Sequence, residues 1–447
     1  MKKCLFVSYG GGHVNTIIPI IKELYKFDDI EVVSIGINLA AETLRKNRIP
    51  CKTLSSYMSK EVLQVGAPLA EQFHNFDSNV SFADSIAYYG FSMRDLINEK
   101  GNEVARKVFE VYDRRLFLPI NAMKEILQKE KPDVVVATTM HRFEAASLIA
   151  ACELGIPSLR VEDLLGNINK PFPDKIHVDT ADERDQYIAK GFKKESIILK
   201  SQIDDPDIQE VANEVYEKYC KLQPTKFAVL CKYTKNNIAN RGINPDSVIV
   251  TGQPAFDKLL EFKNLNKMEM CKKLGIDSSK TIVSLMSQPI DSRENVLKAL
   301  IHAMKEHENK QLIIKLHPNE DGKIQQVMLD EMGYKAIIVK DIEAPKIIEL
   351  SDLVITVSST TGLEAVVMDK PLISINLTGE PDFIPYNDMG IGLGVYDKEE
   401  LSKTISLIFE DSEVVEKLKE ARQEFATDGK AASRVAELII EMLRVEK

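Results

Sequence analysis

Three segments of this chain place anion-binding groups directly behind short apolar runs. Gly10-Gly11-Gly12-His13 follows the run Lys3–Ser8 and leads into an amphipathic stretch, Thr16–Tyr25. Glycines let backbone N–H groups approach an oxyanion closely, and a helix start adds its positive end. The run is not GxGxxG, so it is no dinucleotide fingerprint. A tight turn alone would explain one glycine, not three together. His13 is either a general base or a phosphate donor, or simply a neighbour of the helix cap. His317-Pro318-Asn319 follows Gln311–Leu316. Imidazole there can donate to a phosphate and proline stiffens the turn; the competing reading is a plain strand-end turn. Ser358-Ser359-Thr360-Thr361-Gly362 follows Leu353–Val357 and opens a helix that carries Glu364. One helix cap needs one hydroxyl, and this run exceeds it. Hydroxyls and helix N–H groups would hold a phosphate, and Glu364, one turn in, can accept from ribose hydroxyls.

Other candidates are more isolated. His141 lies beyond the run Asp133–Thr138, and Glu162-Asp163 lies beyond Ser158–Val161. Either could supply an acid or base facing the donor site, and each alone serves a structural role equally well. Asp204-Asp205 has the look of a metal pair but no strand before it, so it reads as a solvated loop. Gly390, Gly392 and Gly394 shape a turn. Arg106, Lys107, Arg114 and Arg115 read as a solvated helix face; an anionic or lipid-linked acceptor is the alternative.

The elements that must position these groups alternate in type. Strand Lys3–Ser8, helix, strand Glu31–Ile35 and helix Leu39–Asn47 open the chain. Residues 54–100 have weak periodicity and read as loops and short helices. Helical sequence from Glu103 to Glu130 is broken near Pro119. Strand Asp133–Thr138, helix Arg142–Leu154 and strand Ser158–Val161 follow. Runs apolar on both faces, alternating with helices, predict a parallel sheet covered on both sides. In such sheets ligands bind beyond the carboxyl ends of the strands, which is where the three motifs fall.

Residues 176–206 and 227–257 resemble each other without a gap: Gly191 matches Gly242, Ser196 matches Ser247, Gln202 matches Gln253, and Ile197-Ile198-Leu199 matches Val248-Ile249-Val250. Duplication would explain this; two αβ units of one sheet, alike by shared physics, is the preferred account. Between them Asp207–Leu222 reads as a polar inserted helix. From Lys267 a second series of alternating helices and strands runs to Ile375, closed by helices near 398–410, 413–425 and 431–444. The predicted domains are 1–258, with insertions around 54–130 and 176–225, and 259–447.

The chain has 447 residues, 44% hydrophobic and 28% charged, with a formal net charge of -10. The length suits two or three domains. The acidic balance argues against nucleic acid as the main partner. Six cysteines without a CxxC pair fit buried thiols in a reducing cytosol. The opening apolar run is too short for a signal-peptide core, and no stretch approaches a membrane span. Trp is absent, which removes one common sugar-stacking group.

Several motifs resemble a known family group. IIKLHPNE, LVITVSSTTGLEAVVMDKPLISI and DGKAASRVAELI resemble bacterial surface-polysaccharide transferases of GT-B fold, such as polysialyltransferases and CDP-glycerol glycerophosphotransferases. YGGGHVNTIIPI is similar to the glycine loop of the N-acetylglucosaminyltransferases that make lipid II. VIVTGQPAFDKL, with KPDVVVATTMHRFEAASLIAACELGIPSLRVED before it, is similar to UDP-N-acetylglucosamine 2-epimerases. The resemblance implies an α/β GT-B fold, two Rossmann-like doubly wound domains facing across a cleft. It implies that His317, Ser358, Ser359 and Thr361 hold the donor phosphates, Glu364 the ribose, and Gly11 and Gly12 the diphosphate or acceptor. His13, Glu162 and His141 are then the catalytic candidates, with His13 as base. Neither metal nor cofactor is implied beyond the nucleotide-sugar co-substrate, because helix dipoles and His or Ser donors can stabilise a leaving phosphate.

The leading expectation is a cytoplasmic glycosyltransferase of surface polysaccharide biosynthesis, moving a sugar to a glycan or lipid-linked acceptor, compatible with peripheral contact at the inner membrane face. The alternatives are a UDP-N-acetylglucosamine 2-epimerase and a non-catalytic nucleotide-sugar-binding protein. The epimerases carry Arg in the first loop and His-Arg-Arg-Glu in the second domain. Here the first loop has His13 and the second reads Ser287-Gln288-Pro289-Ile290-Asp291-Ser292-Arg293-Glu294, while Glu162 matches an epimerase acid and Asp174 stands where another is expected.

Overall fold

A computed structural model describes residues 1–138, 142–163, 165, 176–178, 180–189, 197–199, 205–220, 222–263, 265–290, 292–357, 359–379, 382–425 and 427–444. His141, Asp174, Gly191, Ser196, Gln202, Asp204 and Ser358 lie outside them. The chain forms two compact units: Met1–Val229 with Lys235–Ala255 and Ala432–Lys447, and Leu230–Thr234 with Phe256–Ala431.

The strands of the first unit are β1 (Lys2–Ser8), β2 (Ile30–Gly36), β3 (Val134–Ala137), β4 (Ser158–Val161), β5 (Ile176–Val178), β6 (Ile197–Leu199), β7 (Lys226–Val229) and β8 (Val248–Val250). Six of them pair in the order β2-β1-β3-β4-β7-β8, all parallel. Alternate side chains feed two cores, as a sheet buried on both faces requires. Leu5, Val7, Val135 and Ala137 meet the helices between 60 and 153. Cys4, Phe6, Val134 and Val136 meet helix Gly12–Leu24, whose Val14, Ile17, Ile21 and Leu24 recur at helical spacing. The strand order reverses between β1 and β3, which makes that crevice the expected ligand site of the sheet.

Three expectations are corrected in this unit. Residues 54–100 are not loops and short pieces: they hold helices Lys60–Phe73 and Phe82–Lys100. A Cβ on Gly66 would lie 2.0 Å from the Ile86 carbonyl oxygen, and one on Gly90 would lie 2.2 Å from that of Val62. Two glycines therefore let these backbones touch. The helix Pro206–Cys220 is not a polar insertion: Ile208, Val211, Val215 and Tyr219 sit in the first core. The last helix, Ala431–Arg444, does not close the second domain. Its Val435, Ile439 and Leu443 pack with Ile17, Phe6 and Val136, because its apolar stripe completes the cover over β1 and β3.

The internal resemblance has a structural counterpart. β5 and β6 pair in parallel around helix Ala181–Ala189, Ile176 opposite Ile197. β7 and β8 do the same around helix Lys232–Ala239, Phe227 opposite Val248. The pairing register is the same at matched positions. The two βαβ units do not share a sheet, however: β5-β6 stands apart as a two-stranded sheet.

The second unit contains β9 (Thr281–Met286), β10 (Lys310–Lys315), β11 (Ile337–Val339), β12 (Leu353–Thr356), β13 (Leu372–Ile375) and β14 (Leu393–Val395), paired in parallel in the order β11-β10-β9-β12-β13-β14. Its reversal of order lies between β9 and β12. Val283, Leu285, Leu312, Ile314 and Ile355 anchor its core against helices Arg293–Lys305 and Leu401–Glu410. Each unit is thus a doubly wound, Rossmann-like domain. Among the described residues, no helix is long and apolar enough to cross a membrane.

Candidate functional site

In the first unit a polar cluster gathers at the carboxyl ends of β1, β3 and β4. Helix Gly12–Leu24 begins directly at the glycine loop, four residues earlier than the apolar pattern suggests. Gly11 is its N-cap with φ 73°, and the cap has no side-chain hydrogen bond. The first-turn N–H groups therefore have no side-chain acceptor from the cap. Space for a Cβ on Gly11 and Gly12 is open, whereas one on Gly10 would lie 2.9 Å from Leu39 Cβ. Gly10 thus serves packing, and Gly11 and Gly12 are exposed.

His13 sits in the first turn of that helix. Its Nδ1 lies 3.0 Å from Thr138 Oγ1, 3.4 Å from Glu144 Oε2 and 3.4 Å from Asp163 Oδ2. Glu144 is wholly buried, on helix Arg142–Glu153. Its Oε1 accepts the Tyr9 N–H at 2.7 Å and its Oε2 accepts the Thr138 hydroxyl at 2.9 Å. Burial opposes charge on His13, but the Glu144 carboxylate and then Asp163 outweigh it and raise the pKa to about 9. Burial, with the repulsion of Glu144, raises that of Asp163, while His13 opposes the rise.

Arg160 and Glu162 flank this cluster at the end of β4, both buried. Arg160 Nε donates to the Thr138 carbonyl at 3.3 Å. Burial lowers its pKa, and the charges of Glu162 and Asp163 hold it up. Gln253, beyond β8, donates from Nε2 to the carbonyls of Glu162 and Asp163 at 3.1 and 2.9 Å, pinning the loop that presents both acids. Arg142 has left-handed backbone, φ 48°, and its guanidinium lies 6.0 Å from the Tyr9 ring centroid. Such a conformation in a non-glycine residue costs on the order of 1 kcal/mol and is typical of functional loops.

In the second unit the His-Pro-Asn turn is held by a buried carboxylate. Glu320 accepts the His317 N–H at 2.9 Å, the Ser287 hydroxyl at 3.0 Å, Gln325 Nε2 at 2.7 Å and Arg293 at 3.3 Å. Asn319 N–H donates into His317 Nδ1 at 3.2 Å. That leaves the ring proton on Nε2, so His317 is a donor outward. Beyond β12, Ser359 Oγ accepts the N–H and the hydroxyl of Thr361 at 3.2 and 2.8 Å. The Tyr386 hydroxyl donates to the Ser359 carbonyl at 2.7 Å. Glu364 Oε2 is buried without a hydrogen-bond partner among the described residues. Burial raises its pKa, with Lys258 opposing.

The sequence candidates thus form two groups. His13, with Gly11 and Gly12 close by, sits at the order reversal of the first sheet, and Glu162 lies beyond β4, one strand away. Ser359, Thr361 and Glu364 lie beyond β12 at the reversal of the second sheet, and His317 beyond β10. Sequence reading passed over Tyr9, Thr138, Glu144 and Arg160, and gave Gln253 no role. Asp205 receives the Asp207 N–H at 3.0 Å and pairs with Lys107 at 3.4 Å, a structural cap.

The model of the UDP-N-acetylglucosamine 2-epimerase family matches residues 210–440. The chain belongs to that family. A curated UDP-N-acetylglucosamine 2-epimerase of Methanocaldococcus jannaschii is 22% identical over 303 residues, which cover 64% of this chain and 71% of the relative. Among solved structures, UDP-GlcNAc 2-epimerase of Neisseria meningitidis bound to UDP-GlcNAc aligns with TM-score 0.58 and 15% identity, over 98% of this chain and all (100%) of that one. A glycosyltransferase of kitacinnamycin aligns with TM-score 0.57 and 12% identity, over 99% of each chain. These likenesses confirm the GT-B type fold. The family match and the curated relative favour the epimerase alternative over the glycosyltransferase that the surface-polysaccharide motifs suggested.

Proposed function

We propose that the protein inverts C2 of UDP-N-acetylglucosamine, either keeping the product on UDP or releasing it. The supporting observation is the match to the 2-epimerase family together with the carboxylates Glu162 and Asp163, presented by one pinned loop beyond β4, with Asp163 beside His13. Inversion at a carbon needs a proton removed from one face of the ring and another delivered to the opposite face. At least two acid-base groups must therefore converge, which a binding protein would not need. Glu162, whose backbone carbonyl is held by Gln253 and whose charge faces Arg160, is the acid-base candidate that the sequence already indicated.

The nucleotide would be held by the second unit. His317 Nε2–H and the Ser359 hydroxyl are donors for the diphosphate, Thr361 holds the Ser359 oxygen in place, and Glu364 carries an unmet acceptor suited to ribose hydroxyls.

The test is incubation with UDP-N-acetylglucosamine alone in D2O, followed by proton NMR. The expected result is the C2-inverted sugar, on UDP or free, with deuterium at C2. Sugar transfer only when a glycan or lipid-linked acceptor is added, with no exchange at C2, would overturn this reading in favour of a glycosyltransferase.

A further inference from the structure

Neutral imidazole with a proton on Nδ1 would leave Nε2 as a base, the role the sequence suggested for His13. The hydrogen bonds around Nδ1 fix a proton there, which the base role and its opposite share, and the carboxylates beside that nitrogen decide between them. Thr138 has one hydroxyl hydrogen, and it points at Glu144 Oε2 at 2.9 Å. The Thr138 oxygen is then an acceptor towards His13 at 3.0 Å, so Nδ1 must carry a proton. Two carboxylates, Glu144 and Asp163, also lie 3.4 Å from that same nitrogen. Like charges this close do not both ionise readily unless a cation stands between them. The ring is the group placed to be that cation.

We propose that His13 works as an imidazolium whose Nε2–H, at the glycine loop, is a charged donor for a ligand oxyanion, and that Glu144 is the positioning residue that keeps it so. The proposal rests on the nucleotide-sugar reading above. It reassigns His13 from base to charged donor, with no proton transfer in the step. The groups facing the ring come from every neighbouring element. Glu144 and Asp163 favour the charge, Arg142 opposes it, and the Tyr9 ring meets His13 edge-on with centroids 6.1 Å apart. Glu144 is suited to its part because both its oxygens are already committed to Tyr9 and Thr138, so the carboxylate cannot swing away from the ring. Beside the exposed Gly11 and Gly12, such a ring adds a full positive charge to the partial charge of the helix start.

The chain has 7 histidines, so nitrogen-15 NMR of histidine-labelled full-length protein can follow His13, assigned by its loss in His13→Asn. His13 is expected to stay protonated at pH 7.5 and to titrate near 9. Glu144→Gln keeps the shape and one carbonyl for Tyr9, and is expected to lower that titration by at least one pH unit. Should this variant not fold, Asp163→Asn provides the same reading from the other side. UDP affinity, measured by calorimetry, is expected to fall about tenfold as pH rises through the His13 titration, as loss of a charge-assisted hydrogen bond implies. In Glu144→Gln the fall should occur at correspondingly lower pH. Titration of wild-type His13 below pH 7, or an unchanged titration in both carboxylate variants, would overturn the proposal. UDP affinity that stays level across the titration would overturn the oxyanion contact. Absence of UDP binding at every pH would instead sink the nucleotide-sugar reading, and the NMR result would show that the two had failed separately.

Discussion

The charge held on His13 should be visible in stability as well as in binding. Free histidine titrates near 6.5, and the folded ring at about 9. At about 1.4 kcal/mol per pKa unit, the folded state gains about 3 kcal/mol from binding this proton. The sign follows from the direction of the shift. The native state holds the proton more tightly than the unfolded chain, so the contribution is complete below pH 6.5 and is lost as pH rises through 9. Urea unfolding of wild type and His13→Asn, followed by far-UV circular dichroism from pH 6 to 10, isolates the term. The two units can unfold separately, so the transition of the first unit is the one to compare. Wild type should lose about 3 kcal/mol relative to the variant across that range. A stability difference that is flat between pH 6 and 10 would refute the ionic account of the cluster.

Other outcomes follow from packing and from the nucleotide site. Gly66→Ala forces a methyl into the Ile86 carbonyl and should destabilise the first unit by about 1–3 kcal/mol in urea, while leaving the second transition in place. Ile439→Ala removes a fully buried side chain of the last helix and should cost about 2–5 kcal/mol in that same first-unit transition; a loss confined to the second unit would contradict the assignment of this helix. Glu364→Ala should weaken the thermal shift produced by UDP, since its unmet buried acceptor is the proposed ribose contact.

What was readable from sequence follows the places where local physics is one-dimensional. Val134, Val135, Val136 and Ala137 are all fully buried, and a strand covered on both faces shows itself as an unbroken apolar run. The glycines at 10–12, His317 and the hydroxyls near 359 stand directly behind such runs, so their positions came with the strands. Helix Phe82–Lys100 was illegible for the converse reason. Every residue from Ser85 to Leu96 is buried, tyrosines and an Arg94–Asp95 pair included, so no apolar stripe of period 3.6 exists to be read. The final helix has a clear stripe, but a stripe does not say which sheet it covers. Only Val435 and Ile439 meeting Ile17 and Phe6 assign it to the first unit.

Glu144 is the most instructive omission, because a signal was there. It sits in Arg142–Glu153 among Phe143, Ala145, Ala146, Leu148 and Ile149, a helix buried on nearly all sides. A carboxylate in such a setting is too costly to bury unless it is hydrogen-bonded and paired. The sequence therefore already required partners for Glu144, and the strand ends before and after its helix supply them. Thr138 closes β3, and Asp163 follows β4. Tyr9 directly follows β1, the neighbour of β3 in the sheet, and His13 opens the helix behind it. A charged residue inside an apolar helix that links two strands of a parallel sheet is forced towards the carboxyl edge, where donors are available. The burial cost that makes Glu144 an anomaly in the sequence is what fixes it beside the glycine loop, and it is why His13 meets a carboxylate rather than water.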